Sequence, residues 1–244
     1  NKAGRTGGTF LHSSRTRASH VPQSAVPEHL KDKYNAEIND LTPEVLKNLE
    51  FIGIDYLIPI GGDDTLSYAV RLSQEGVKVV AIPKTMDNDV PGTDYCIGFS
   101  TCITRTIELT HDLRTCAGSH ERLLVLEVFG RYAGFSAMLP TLAGAANRCV
   151  IPEYQFDIER LAELLCQDRY TNPSKYSVVL VSEGASYSGG QIMFPTSLKI
   201  FLRSSIKGKP SMSSIKNLVI WYVVEIRMRW TLSCLWLMVI LHSI

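Results

Sequence analysis

The chain has 244 residues, a mass of 27.2 kDa, 45% hydrophobic and 20% charged residues and a formal net charge of +1. That is enough for one large globular domain or two small ones. The near-neutral balance excludes a global basic field for nucleic acid or membrane surfaces and leaves local cation clusters for small anions. The six cysteines (Cys96, Cys102, Cys116, Cys149, Cys166 and Cys234) are scattered without a CxxC pair. They read as small buried hydrophobes in a reducing compartment. The first residues, Asn1-Lys2-Ala3-Gly4-Arg5, lack the apolar stretch of a signal peptide, which sets the cytoplasm as the expectation.

From residue 53 to 185 strand and helix signals alternate. A strand over 56–60 leads through Gly61-Gly62-Asp63-Asp64 into a helix over 65–75, with Asp64 placed as its N-cap and Gly76 as the residue that ends it. The next strand covers 77–82 and is followed by Pro83-Lys84-Thr85-Met86-Asp87-Asn88-Asp89, in which Asn88 reads as a turn former. A helix is expected over 100–114, then a strand over 123–129 interrupted by Glu127. The 130–134 turn opens a helix through Ala146, and 150–152 is a short strand. A helix beginning at 157–160 ends near Gln167, and the last strand, 176–181, runs into Ser182-Glu183-Gly184. Strands separated by helices of this length form βαβ units with right-handed crossovers. The fold class is therefore a Rossmann-like α/β layer.

Beyond Pro195 the pattern breaks. Glu225 is the only acid there, against Lys199, Arg203, Lys207, Lys209, Lys216, Arg227 and Arg229, and Trp221, Trp230 and Trp236 all fall in this stretch. Residues 230–244 are apolar but shorter than the roughly 20 residues of a membrane span. Neither period nor caps organise the segment. The expected division is a catalytic domain over 1–194 and an atypical tail over 195–244, of the kind an altered reading frame or a retained intron produces.

Two loops carry the chemistry. Each follows a short apolar run of the type that forms a buried parallel strand, so both belong at the strand-end edge where open α/β sheets bind ligands. Gly61 and Gly62 allow a phosphate close to the backbone, and the helix that follows offers its unpaired N–H groups to an anion. A hard carboxylate such as Asp63 beside a phosphate suits Mg²⁺. With Lys84, Thr85, Asp87 and Asp89 in the second loop, the pattern reads as Mg²⁺-assisted phosphoryl transfer.

The segments GGTFLHSSR (7–15), IPIGGDDTLSYAVRL (58–72), IPKTMDNDVPGTDYCIGFSTC (82–102), AGSHERLLVLEVFGRYAG (117–134) and VSEG (181–184) together resemble the phosphofructokinase family, in particular its pyrophosphate-dependent branch. The resemblance runs over roughly residues 1–194. A lone Gly-Gly-Asp also suits lipid and NAD kinases; PKTMDND and SHER disfavour those. The resemblance implies a phosphofructokinase fold, a mainly parallel sheet flanked by helices with an incomplete smaller second domain. It implies Mg²⁺-dependent transfer to the 1-hydroxyl of fructose 6-phosphate, giving fructose 1,6-bisphosphate. Asp87 is then similar to the base that takes the hydroxyl proton, Thr85 and Asp89 to residues holding sugar and phosphoryl in line, and Asp63 to the metal-associated aspartate. Asp89 reads equally as a carboxylate that orders its own loop. Arg122 resembles an arginine that binds the sugar 6-phosphate of a neighbouring subunit, which implies a homo-oligomer; its plainer reading is a surface arginine paired with Glu121. Phe129, Gly130 and Arg131 resemble the turn over the sugar and reacting phosphates, with Arg131 available to the transition state. Glu183 resembles the acid that binds sugar hydroxyls, and Arg15 an arginine near the donor phosphates.

Members that use ATP generally carry glycine where this chain has Asp64 and Lys84. Asp64 adds bulk and negative charge where the nucleotide's α-phosphate lies, while Lys84 supplies a cation to the compact pyrophosphate. Pyrophosphate is therefore the expected donor and ATP the alternative. Two family elements are not found: the glycine-rich donor loop, which falls before Asn1, and the second sugar-phosphate cluster, expected after Gly190. An inactive, ligand-binding fragment is the remaining reading.

Overall fold

The computed structural model describes residues 16–187 and 190–191. These fall into two compact units, one ending at Lys84 and the other beginning at Thr85. The proposed tail, Arg15 and Cys234 lie outside the described residues.

In the first unit β1 (Val21–Pro22) pairs antiparallel with β2 (Ile38–Asn39). Val21, Val26 and Leu41 form a small buried cluster there, with Leu30 and Tyr34 packed on it. Helix α1 (Thr42–Ile52) follows, with Pro43 in its first turn and Gly53 ending it at φ +76°. This helix precedes the strand–helix alternation legible from residue 53 onward. β3 (Ile60–Gly61) and β4 (Ile82–Pro83) pair in parallel, and the ladder extends backwards through Leu57 and Val79. The apolar runs expected as strands thus do pair, although each regular strand is only the last residue of its run and the residue after it.

Helix α2 (Asp63–Gln74) connects them and corrects one expectation. Asp64 does not cap it. Gly62 is the N-cap, without a side-chain cap bond, and Asp63 and Asp64 both lie inside the first turn. Gly76 behaves as expected: at φ +94° it donates to Ser73 O while Val77 N donates to Leu72 O, at 3.1 Å each. This doubled bond satisfies carbonyls that the helix end would leave open.

The second unit holds α3 (Phe99–Ser119), β5 (Leu123–Val128), α4 (Phe135–Leu142), β6 (Arg148–Val150), α5 (Ile158–Thr171) and β7 (Ser177–Ser182). Helix α3 runs five residues beyond its expected end, α4 stops earlier than expected and β6 sits slightly upstream of its expected place. A hairpin of β8 (Ser186–Tyr187) and β9 (Gly190–Gln191) follows. The order β5-β7-β6 is wholly parallel, with Leu123 opposite Ser177 and Arg148 opposite Val179. Parity then assigns the faces. Leu123, Val125, Val179 and Val181 pack with Leu161, Ala162 and Leu165 of α5, whereas Leu124, Leu126, Val178 and Leu180 pack with Ala117 of α3 and Ala137 of α4. A sheet buried on both faces explains why these strands read as continuous apolar runs. Of the cysteines, Cys96 and Cys102 are buried as expected, Cys149 and Cys166 partly so, while Cys116 is exposed; all five are free thiols.

Candidate active site

In the first unit the chain turns sharply from β3 into α2. A Cβ on Gly61 would lie 2.4 Å from Thr65 Oγ1, so only glycine fits there. The extended Gly62 gives its carbonyl to the N–H groups of Thr65 and Leu66, both at 3.0 Å. Lys84 N donates to Gly61 O at 2.8 Å, which fixes the lysine's backbone alongside the glycine turn. Gly61, Gly62, Asp63, Asp64 and Lys84 are thereby gathered at one helix N-terminus. Asp63 and Asp64 are exposed. The positive end of the helix favours their charge. An incoming phosphate meets that negative pair unless cations intervene, and Lys84 is one such cation. A divalent ion held by one of the carboxylates would be another. Mg²⁺ is commonly held by one or two carboxylates, substrate phosphates and water. Asp63, exposed in the first turn of the helix, could take that role, and no cluster of three or more ligating side chains occurs among the described residues.

In the second unit the loop after Lys84 is ordered by Asn88, which adopts φ +56°. Asn88 Oδ1 accepts from Cys96 N at 2.8 Å and its Nδ2 donates to Asp94 O at 3.0 Å. Thr85 Oγ1 accepts from Asp87 N at 3.3 Å. Neither Asp87 Oδ1 nor Asp89 Oδ1, both buried, has a hydrogen-bond partner among the described residues. Asn88 thus orders the loop, and Asp87 and Asp89 each keep one buried acceptor atom unspent among the described residues. Burial, then the Asp89 and Glu183 carboxylates, push Asp87 from its ordinary 3.8 up to about 6, and the Arg131 guanidinium opposes them.

Arg131 and Glu183 come from neighbouring strand ends. Glu183 N donates to Val128 O at 3.0 Å and Gly184 N to Gly130 O at 3.1 Å, stitching the turn after β5 to the loop after β7. Arg131 Nε stands 3.9 Å from Glu183 Oε1. Gly130, at φ +124°, and Gly184 are both irreplaceable sterically: a Cβ on Gly184 would lie 1.9 Å from Arg131 O. Phe129 O accepts from the Ser136 hydroxyl. The structure thus brings together Asp87, Asp89, Arg131 and Glu183, with Thr85 bonded into the same loop and Phe129 and Gly130 in the same turn.

Arg122 is not part of that group. It precedes β5, where its carbonyl accepts from Ser177 N at 3.3 Å, and the six residues of β5 carry the chain about 20 Å from there to Phe129. Its neighbour Glu121 is engaged by Arg169, whose Nε and Nη2 donate to Glu121 O at 2.9 Å and Oε2 at 3.4 Å. Cys102, expected as a small buried hydrophobe, lies beside this group: its buried thiol is pushed up to about 11 by burial against an opposing Thr106 bond, with Asp87 adding to the rise. Ser136, Ser182 and Glu153 were not among the expected site residues, yet all touch the Arg131 turn or the glycines that flank it. Gly134 and Gly184 were the available signal, since glycines beside a charged turn mark close backbone approach.

Comparison with known proteins places this geometry. The phosphofructokinase family model matches residues 1–223. An ATP-dependent 6-phosphofructokinase 3 of Streptomyces coelicolor is 37% identical over 188 residues, 77% of this chain and 50% of that protein. A pyrophosphate–fructose 6-phosphate 1-phosphotransferase of Amycolatopsis methanolica is 38% identical over 193 residues, 79% of this chain and 51% of that protein. Among solved structures, a phosphofructokinase of Saccharomyces cerevisiae superimposes with a TM-score of 0.58 at 25% identity, over 74% of this chain and 27% of the other. A pyrophosphate-dependent phosphofructokinase from Marinobacter aquaeolei does so with a TM-score of 0.52 at 28% identity, over 66% of this chain and 44% of the other. The chain spans about half the length of the curated relatives it matches, and it belongs to the phosphofructokinase family.

Proposed function

We propose that this chain carries the catalytic half-site of a 6-phosphofructokinase whose phosphoryl donor is pyrophosphate. The observation that supports the reaction is the grouping of Asp87, Asp89, Glu183 and Arg131 at the second unit's strand ends. Asp87, raised to about 6, is ionised at neutral pH yet basic enough to take the proton from the 1-hydroxyl of fructose 6-phosphate as its oxygen attacks phosphorus. Thr85 and Asp89 hold the reacting groups in line, Glu183 accepts hydrogen bonds from sugar hydroxyls, and Phe129 and Gly130 form the turn over them. Arg131 meets the charge that develops on the transferring phosphoryl. Arg122 serves the sugar phosphate of a neighbouring copy in a homo-oligomer, and Arg15 joins the donor phosphates.

The donor reading rests on the α2 N-terminus. Gly61 and Gly62 admit the phosphate, Lys84 neutralises it, and Asp64 in the first turn repels a nucleotide's extra phosphate. When bound beside Asp63, Mg²⁺ shields the donor's charge and orients its oxygens. ATP is the second reading, and it is favoured by the several relatives named ATP-dependent, such as one of Mycobacterium bovis at 42% identity over 151 residues. A cytoplasmic setting goes with either donor; no helix among the described residues is long and apolar enough to cross a membrane. The test is Asp87→Asn in the full-length protein. Formation of fructose 1,6-bisphosphate should fall by about 10²–10⁴-fold, while calorimetric binding of fructose 6-phosphate persists. Activity within a few-fold of the parent would overturn the assignment of Asp87.

A further inference from the structure

The turn that carries Arg131 lies between two other segments of the second unit. On one side is Gly184, whose α-carbon faces Arg131 O so closely that no side chain fits. On the other is the stretch after β6. A Cβ on Gly134 would lie 2.4 Å from Ile151 Cβ and 2.9 Å from Glu153 Oε2, and Gly134 N donates to Glu153 Oε1 at 2.8 Å. A carboxylate therefore ties down the far end of the turn, three residues beyond Arg131. Charge-assisted bonds of this kind are shorter and stronger than neutral ones. Ser136 bonds Phe129 O at the near end. Among the described residues the exposed guanidinium has one ion-pair approach, 3.9 Å to Glu183, and an electrostatic effect on Asp87, so its position is set largely by the backbone that presents it.

We infer that Glu153 is a positioning residue: by accepting the Gly134 N–H it holds the 130–134 turn in the form that keeps Arg131 beside Glu183 and within electrostatic reach of Asp87. Glu153 touches no reacting atom and acts through the turn. The inference rests on the proposed roles of Arg131 and Asp87. Its test is arranged to separate the two, and none of its readouts requires turnover.

The experiment measures Gly134 amide hydrogen exchange and the Asp87 carboxyl titration by NMR. It compares the unmodified chain with Glu153→Ala, Glu153→Gln, Arg131→Ala and the Glu153→Ala/Arg131→Ala pair. The groups facing Asp87 are Asp89, Glu183 and Arg131, with the Cys102 thiol beside it. Glu153 is exposed, so its truncation leaves the sheet core in place. Glu153→Ala should speed Gly134 exchange by about tenfold or more, as loss of a hydrogen bond to a charged group does, and should raise the Asp87 midpoint because Arg131 drifts away. The sign is decisive: simple removal of a nearby negative charge lowers a carboxyl's midpoint. Glu153→Gln keeps the acceptor oxygen and should keep Gly134 protected and the midpoint from rising. In the Arg131→Ala background Glu153→Ala should add no further rise. Unchanged Gly134 exchange, a lowered midpoint, or an undiminished rise without Arg131 overturns the inference. An Arg131→Ala midpoint equal to the parent's would instead overturn the placing of Arg131 against Asp87, whereas Gly134 exchange still reports on the Glu153 tie.

Discussion

Burial and the Asp89 and Glu183 carboxylates raise Asp87 from 3.8 to about 6, so its proton is held more tightly in the folded chain than in the unfolded one. The stabilising contribution of that proton is complete below pH 3.8 and is lost as pH rises through about 6. At neutral pH the ionised carboxylate therefore weighs against folding. Asp87→Asn should stabilise the chain at pH 7.5 by about 1–3 kcal/mol, with the gain vanishing near pH 4, as urea unfolding at the two pH values will show; equal stability at both would contradict it. The same ionisation should appear in the full-length protein as a kcat/KM that climbs as pH passes through about 6. Gly184 makes a steric statement of the same kind. Because its Cβ would lie 1.9 Å from Arg131 O, Gly184→Ala should cost about 1–3 kcal/mol in denaturant unfolding, and a cost of only tenths would mean that the turn yields easily.

At the scale of elements, the helix ends separate two aspartates that look alike in sequence. Asp157 precedes α5 and its carboxylate accepts from the N–H groups of Glu159 and Arg160 at 2.8 and 3.1 Å. Asp64 makes no such bond, because Gly62 holds the cap position of α2. Asp157→Ala should therefore cost about 1 kcal/mol, and Asp64→Ala only a few tenths through the helix dipole, both read from denaturant midpoints. The alternation of β5, β7 and the helices around them was legible because a sheet covered on both faces writes its strands as apolar runs. Helix ends were less legible. Nothing after Arg114 breaks α3 until Glu121 turns to φ +51°, and the α2 start was displaced by a glycine that caps without a side chain. Helix α1 escaped the reading altogether, since its Thr-Pro start follows a polar stretch with no strand pattern before it.

For the whole molecule, the residues proposed to meet the donor gather at one helix N-terminus in the first unit, and those proposed to meet the acceptor gather at strand ends in the second. Sequence could name these residues because the motifs are contiguous. It could not give the packing of Gly134 on Ile151 and Glu153, which joins segments 17 or more residues apart by setting a bare glycine backbone against two side chains. The chain's span of about half its relatives' length makes the activity a property to be measured on the full-length protein. The measurement that tests the account most directly is its formation of fructose 1,6-bisphosphate from fructose 6-phosphate with pyrophosphate and with ATP, in the parent and in Asp64→Gly/Lys84→Gly. The account predicts a kcat/KM at least about tenfold higher with pyrophosphate, equivalent to about 1.4 kcal/mol of transition-state preference, and a shift toward ATP in the double variant. A parent that prefers ATP, or a double variant whose donor ratio is unchanged, would contradict it.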